Sequence, residues 1–158
     1  MKKTVQFSTF SFITTIISYA IIIGLGIYLL DKGVTVAAYV DFAIVIFLLL
    51  AALFYVPLGL TLTDNTLDIN RSLRIKILPL TDIESVRLCP PTMGAKRICG
   101  SGGFMGYWGW SSERDLGKYF AYYGKASDCF LVRMKDGRQY MLGCKDAPER
   151  VSAIQSKL

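Results

Sequence analysis

The chain has no histidine, and its four cysteines (Cys89, Cys99, Cys129 and Cys144) include no C-x-x-C pair. A structural zinc site normally draws on one or both of these, and the most usual general base of enzymes is missing as well. Carboxylates stand singly at turns and caps, as at Asp64, Asp136 and Asp146. The sequence therefore predicts no catalytic residue, no metal and no cofactor, and the protein is not expected to be an enzyme. The cysteines are expected to be buried free thiols in a reduced compartment.

Charge is equally scarce at the start of the chain, where no Asp, Glu, Lys or Arg falls between Thr4 and Leu30. The run FSFITTIISYAIIIGLGIYLL (10–30) holds 21 residues, and VAAYVDFAIVIFLLLAALFYV (36–56) holds 21 more, with Asp41 as its one charge. At ~1.5 Å per residue each reaches roughly 30 Å, one hydrocarbon thickness. Only DKGVT (31–35) joins them, so the two spans must be antiparallel. A secretory signal peptide would also start with basic residues like MKK, but its apolar stretch runs to about 7–15 residues and needs no second span.

Positive charge sets the expected orientation. Lys2 and Lys3 precede the first run, 15 of the 18 Lys and Arg follow Pro57, and the connector has only Lys32, offset by Asp31. Basic residues stay on the cytoplasmic side. The expected layout is a cytoplasmic N-terminus (1–9), transmembrane helices at 10–30 and 36–56, a short non-cytoplasmic loop (31–35) and a cytoplasmic domain (57–158). Such a chain belongs in the bacterial inner membrane as a multi-pass protein. Asp41, about five residues into the second span, is expected to snorkel to the far interface. Ala20 and Gly24 give a small-xxx-small spacing, with Gly26 just beyond, that suits close packing on the second helix or on a second copy of the chain.

After Leu58 the hydrophobic period changes to two. LGLTLT-DN-TLDIN reads as a hairpin turning on Asp64-Asn65, with Leu62 opposite Leu67 and Leu60 opposite Ile69. In LRIKI, Leu73, Ile75 and Ile77 point one way and Arg74 and Lys76 the other, until Pro79 marks a bulge or strand end. DIESVRL and KYFAYYG are further strands. CFLVRMK-DG-RQYMLGC reads as a hairpin with a two-residue turn at Asp136-Gly137, which would set Cys129 opposite Cys144 and Leu131 opposite Leu142. The close of the chain, DAPERVSAIQSKL, has helix-start chemistry: Asp146 to cap, Pro148 in the first turn and Glu149 three residues after the cap. Ala147, Val151, Ile154 and Leu158 share one face of that helix, about 147–158. The fold predicted is a two-helix transmembrane hairpin followed by six or seven antiparallel strands and one C-terminal helix.

Strands closed by one helix, with ILPLTDIESV (77–86) early and a glycine-rich stretch in the middle, resemble the bacterial pleckstrin-homology-like (PH-like) domains, which often follow membrane spans. The resemblance covers roughly residues 57–158. It implies a seven-stranded split barrel closed by the helix and does not imply an enzyme. Eukaryotic relatives bind phosphoinositides through clustered Lys and Arg in the first hairpin loop; here that loop is Asp64-Asn65, acidic and short.

The glycine-rich stretch is CGSGGFMGYWGW (99–110). It is not a P-loop, because Gly117-Lys118 and Gly124-Lys125 meet Ser112 and Tyr119 where the leading glycine should stand. It is not a dinucleotide fingerprint either, since counting from Gly100 the third glycine is replaced by Met105. Three readings remain open for Phe104, Tyr107, Trp108 and Trp110: packing on the domain's own sheets, seating at the lipid headgroup layer, or a partner or small-molecule surface. Candidate anionic-lipid contacts are Arg71, Arg74 and Lys76 in one neighbourhood, and Lys96 and Arg97, with Arg87, in a looser second group. The reading that results is a membrane-anchored binding or scaffold module meeting a protein partner or anionic lipid. Its alternative is an accessory subunit or regulator of a membrane transporter or envelope complex, acting through the hairpin. Partners beyond the bilayer would be a membrane protein or a second copy; no nucleic acid is expected, because no recognised motif accompanies the charge.

Overall fold

The computed structural model describes residues 2–92 and 94–158. Two long helices come first, α1 (Thr9–Asp31) and α2 (Thr35–Tyr55). Ser8 caps α1 by accepting a hydrogen bond from the Ser11 amide at 3.1 Å. The helices pack along one stripe only: Ala38, Asp41, Val45 and Ala52 recur at helical spacing on α2 and face α1. Large apolar side chains turn outward instead, with Phe10, Phe12, Ile21, Val36, Tyr39 and Phe47 between 64% and 75% exposed. Both helices are long and apolar enough to cross a membrane.

The close approach rests on Gly26. A Cβ there would stand 2.6 Å from Asp41 Oδ2 and 2.8 Å from the Phe42 ring. Asp41 therefore does not snorkel; it is buried against Gly26 at 8% exposure. Ala20 and Gly24 face away from α2, and nothing stands within 4 Å of a Cβ at Gly24.

The remainder is strand-built. β1 (Lys2–Thr4), β2 (Pro57–Leu62), β3 (Thr66–Arg71) and β4 (Ile75–Pro79) form an antiparallel sheet in that order. A second sheet joins β5 (Ile83–Leu88), β6 (Lys96–Gly103), β7 (Gly106–Glu113), β8 (Gly117–Tyr123), β9 (Cys129–Met134) and β10 (Gln139–Gly143) in the order β5-β9-β10-β8-β7-β6. The last helix, α3 (Ala147–Gln155), closes one end. Leu60, Leu67, Ile69, Phe130, Val132 and Leu142 meet between the sheets, and Val151 and Ile154 of α3 seal them. The other face of the six-stranded sheet is buried too, around Tyr119, Cys129, Leu131 and Met141. The segment from β5 to β6 crosses that face, its Cys89 amide donating to the Cys129 carbonyl and its Thr92 amide to the Glu113 carboxylate.

The alternation predicts the β2–β3 register, and Leu62 does pair with Leu67 and Leu60 with Ile69. Other details differ. Among the described residues the part after α2 holds nine strands rather than six or seven, with β1 added from before α1, and β8 runs parallel to β10 because β9 is placed on β10's other side. The β9–β10 loop has three residues, not two. Gly137 takes φ 86° there, a value that glycine adopts without steric cost, and the Met134 amide donates to the Arg138 carbonyl at 2.8 Å. This slips the pairing by one, so that Cys129 faces Gly143 and Leu131 faces Met141. In β4 the pairing Ile69↔Lys76 turns Lys76 toward the core side, its ammonium 5.1 Å from the Tyr140 ring centre. Ile75 and Ile77 are exposed on the outer side. Cys129 and Cys144 are buried, but Cys99 is exposed. Leu158 lies beyond α3 and is 53% exposed, off the apolar face expected for it.

Asp146 does not cap α3 with its side chain; it is left-handed at φ 58° and its carboxylate turns to Lys3 instead. Lys3 binds Asp146 at 2.9 Å and Glu149 at 2.8 Å, and the Lys145 amide donates to the Thr4 carbonyl at 3.0 Å. The N-terminal strand is thus clipped to the domain from both ends of the chain. The hydrogen bond from Lys3 holds the Asp146 carboxyl below its ordinary 3.8, and Glu149 and Asp146 raise Lys3 above its ordinary 10.5. The carboxylate contribution is present above 3.8 and lost as pH falls through the lowered Asp146 value; the lysine contribution is present below 10.5 and lost as pH rises through the raised Lys3 value.

Two outcomes check this packing. In detergent, Lys3→Gln should lower the thermal midpoint between these two ordinary values, and the difference from the natural chain should vanish at more acidic pH. Gly26→Ala should destabilise by about 1–3 kcal/mol in the same melt, the overpacking range, while Gly24→Ala should change little.

Candidate functional site

The glycine-rich stretch is the hairpin β6–β7, and its tip docks on α1. The Ser11 hydroxyl donates to the Gly103 carbonyl and accepts from the Gly106 amide at 2.8 Å. One turn further, the Thr15 hydroxyl accepts from the Met105 amide at 2.7 Å. Tyr19 then meets Phe104 with ring centres 5.0 Å apart. Two hydroxyls on one helix face thus answer the tip's backbone polar groups. An apolar leaflet tolerates irregular backbone only where protein supplies such partners.

Glycine is required where the tip meets the residues leading into α1. Gly106 takes φ 90°, and a Cβ on it would lie 2.8 Å from the Phe7 ring. The contacts climb from Ser11 to Tyr19, so the tip lies beside the first turns of the apolar run. Thr15 is six residues from the start of α1, ~9 Å along its axis.

The aromatic candidates spread back from this tip. At ~3.3 Å per residue along β7, Trp108 lies about 10 Å and Trp110 about 16 Å from Met105. Trp108 stacks on Tyr55, the last residue of α2, with centres 5.4 Å apart and planes at 10°. Tyr107 points to the opposite face and stacks on Tyr123 at 4.8 Å. Trp110 is 44% exposed and meets Phe120 edge-on at 5.2 Å. The hairpin touches both long helices, α1 through its tip and α2 through Trp108.

The basic candidates divide. Arg71 and Arg74 stand together on the β3–β4 turn, where the Arg71 amide donates to the Arg74 carbonyl at 3.0 Å. Both face the end of α2. The Arg74 guanidinium lies 5.7 Å from the Phe54 ring centre, and Arg71 lies at the same distance from Tyr122. Lys76 is separated from them on the core side. Lys96 and Arg97 start β6 at one edge of the six-stranded sheet, while Arg87 is on β5 at the other, so the second group is not one patch. Lys96 is exposed and distant from the tip along its strand. The Arg97 guanidinium folds back over Gly102 and borders a recess of about 290 Å³ with Ser101, Tyr107, Ser111 and Tyr123.

Reading the sequence missed the hydroxyls of Ser11 and Thr15, and Tyr19 and Tyr55. The available signal was polar residues recurring four apart inside an apolar helix. Burial pushes the Tyr119 and Tyr122 hydroxyls up to about 12, and lifts the Cys129 and Cys144 thiols away from thiolate formation. Among the described residues, no three His, Cys, Asp or Glu side chains gather as a metal set.

Two facing sheets closed by a terminal helix, joined directly to a pair of long apolar helices, define a strand-built module carried on a helical hairpin. The chain belongs to the bacterial PH domain family, whose model matches residues 58–158. Comparisons with curated proteins and with solved structures returned no match.

The docking is testable by removing its hydroxyls. Ser11→Ala with Thr15→Val leaves the Met105 and Gly106 amides without partners. Hydrogen exchange at those two amides should accelerate by about tenfold or more, as expected for losing roughly 1–3 kcal/mol of local stability. Gly106→Ala should do the same through the clash with Phe7.

Proposed function

We propose that this protein is a membrane-anchored, non-catalytic PH-like binding module, held by its helical hairpin against the inner face of the cytoplasmic membrane. The observation that carries the reading is the outward-facing apolar surface of α1 and α2. A soluble core helix buries such residues, and water would strongly disfavour a surface this apolar on both helices.

The docking of the β6–β7 tip supports the reading further. A cleaved signal sequence has no reason to carry hydroxyls matched to a distant hairpin, nor to follow a strand paired with β2. Because β1 precedes α1 and pairs with β2 just after α2, both helix ends leave the domain on one side. The concentration of Lys and Arg in the strand-built part supports the cytoplasmic side for that face. Only Val56 separates α2 from β2, so the domain has no slack and works at the bilayer surface. Its role is recognition there, of a protein partner or of lipid.

Fractionation and labelling test the reading together. The full-length chain should stay in the membrane pellet through alkaline carbonate extraction. A cysteine placed in the 31–35 connector should react with an impermeant maleimide on intact spheroplasts, while a tag after Leu158 should be reached only after lysis. A chain extracted by carbonate, or a C-terminal tag reached from outside, would overturn the proposal.

A further inference from the structure

The geometry points to a binding site for one anionic phospholipid on the outer side of α2, with its phosphate held by Arg71 and Arg74 and an acyl chain laid along Phe54, Leu50 and Phe47. The site rests on the anchored reading above and names the ligand that such a domain would take.

Three observations carry it. A groove of about 500 Å³ is lined by Phe47, Leu50, Ala51, Phe54 and Tyr55 of α2 together with Arg71 and Arg74 of the β3–β4 turn. Phe47 and Phe54 are two helical turns apart, so the apolar part runs ~10 Å up the helix from the arginines. Charge and grease are therefore stacked in the order in which a lipid presents phosphate and chain.

The second observation is that the two arginines lack a counter-charge. Among the described residues no carboxylate comes within ion-pair distance of either one. Arg74 is exposed, with only the Phe54 ring beneath it. Arg71 is fixed against Tyr122, its NH1 donating to the Tyr122 hydroxyl at 3.5 Å, while its buried Nε has no acceptor. Guanidinium is also the cation best matched to phosphate.

The third is position. Both arginines stand beside the last turn of α2, where the chain leaves the apolar run. That is the depth of the lipid phosphates if α2 spans the bilayer. Lys2 borders the adjoining recess with Arg71, Leu73 and Arg74, adding a third cation on the same side. A protein segment in the groove would need an acidic group at that one depth, whereas every anionic lipid of the leaflet has one.

Trp108 gives the readout, because it stacks on Tyr55 at the groove. The chain has two tryptophans, so Trp110→Phe leaves Trp108 alone. This full-length variant is placed in phosphatidylcholine nanodiscs containing a few per cent of either phosphatidylglycerol or phosphatidylcholine brominated on the acyl chain. Brominated phosphatidylglycerol should quench Trp108 several-fold more strongly at equal mole fraction. Adding Arg71→Gln and Arg74→Gln should bring that preference down to near unity, since the two cations that draw anionic lipid are gone. Arg71→Lys with Arg74→Lys should restore much of it. Arg74→Gln alone, at an exposed position that leaves the fold intact, should give a partial loss. Lys96→Gln should have no effect, and millimolar inorganic phosphate should not displace the lipid.

Equal quenching by both lipids, a preference untouched by the glutamines, or displacement by inorganic phosphate would each overturn the site. Failure of the anchored reading looks different: Trp108 would then be quenched by neither lipid, even in discs made wholly of brominated lipid.

Discussion

Two hydroxyl groups on the first turns of α1 decide how the molecule is assembled. Ser11 and Thr15 hold the tip of the β6–β7 hairpin through the backbone of Gly103, Met105 and Gly106. Without that grip, the strand-built domain would be held to the helices by the β1–β2 ladder before α1, by Val56 after α2 and by Trp108 on Tyr55. With it, the hairpin braces the helical pair while Trp108 stacks on the far end of α2. Each such bond is worth only about 1 kcal/mol net. Their value lies in geometry, since they fix direction where apolar packing alone is non-directional.

The glycine-rich stretch CGSGGFMGYWGW has a mechanical role. Its glycines let a β-hairpin press against a helix, and its aromatics meet four different partners: Tyr19, Tyr55, Tyr123 and Phe120. A nucleotide loop would aim its backbone amides at a phosphate. Here the Met105 and Gly106 amides are taken by the hydroxyls of the chain's own helix.

Much of this was legible in the residues, and the remainder was hidden for physical reasons. Long apolar runs and period-two alternation are local signals, so the helices, the β2–β3 register and the apolar face of α3 could be read directly. Strand β1 could not: three residues, Lys2 to Thr4, carry no pattern, and they become a strand only because β2 leaves an edge free. The β9–β10 register turned on whether Lys135 belongs to the strand or the loop, a choice that composition does not decide. In β4 the alternation could be read but not its sense, since pairing with β3 determines which side is inward. Asp41 looked like a residue bound for water because Gly26, which gives it room, lies 15 positions earlier on another helix. The basic groups divide for a similar reason: Arg71 and Arg74 adjoin through a turn, while Arg87 and Lys96, nine positions apart in the chain, belong to opposite edges of a sheet.

The pairing of β1 with β2 makes the helical hairpin, in topological terms, the loop of a two-stranded ribbon. Lys2 faces Thr61, Lys3 faces Leu60 and Thr4 faces Gly59 across that ribbon. A piston stroke of α1 past α2 would have to shear this ladder. Strand pairing admits no half steps, and a slip of one residue would turn Lys3 away from Asp146 and Glu149 to the opposite face. The two helices are thereby geared to each other where they leave the domain, free to tilt together and blocked from sliding apart.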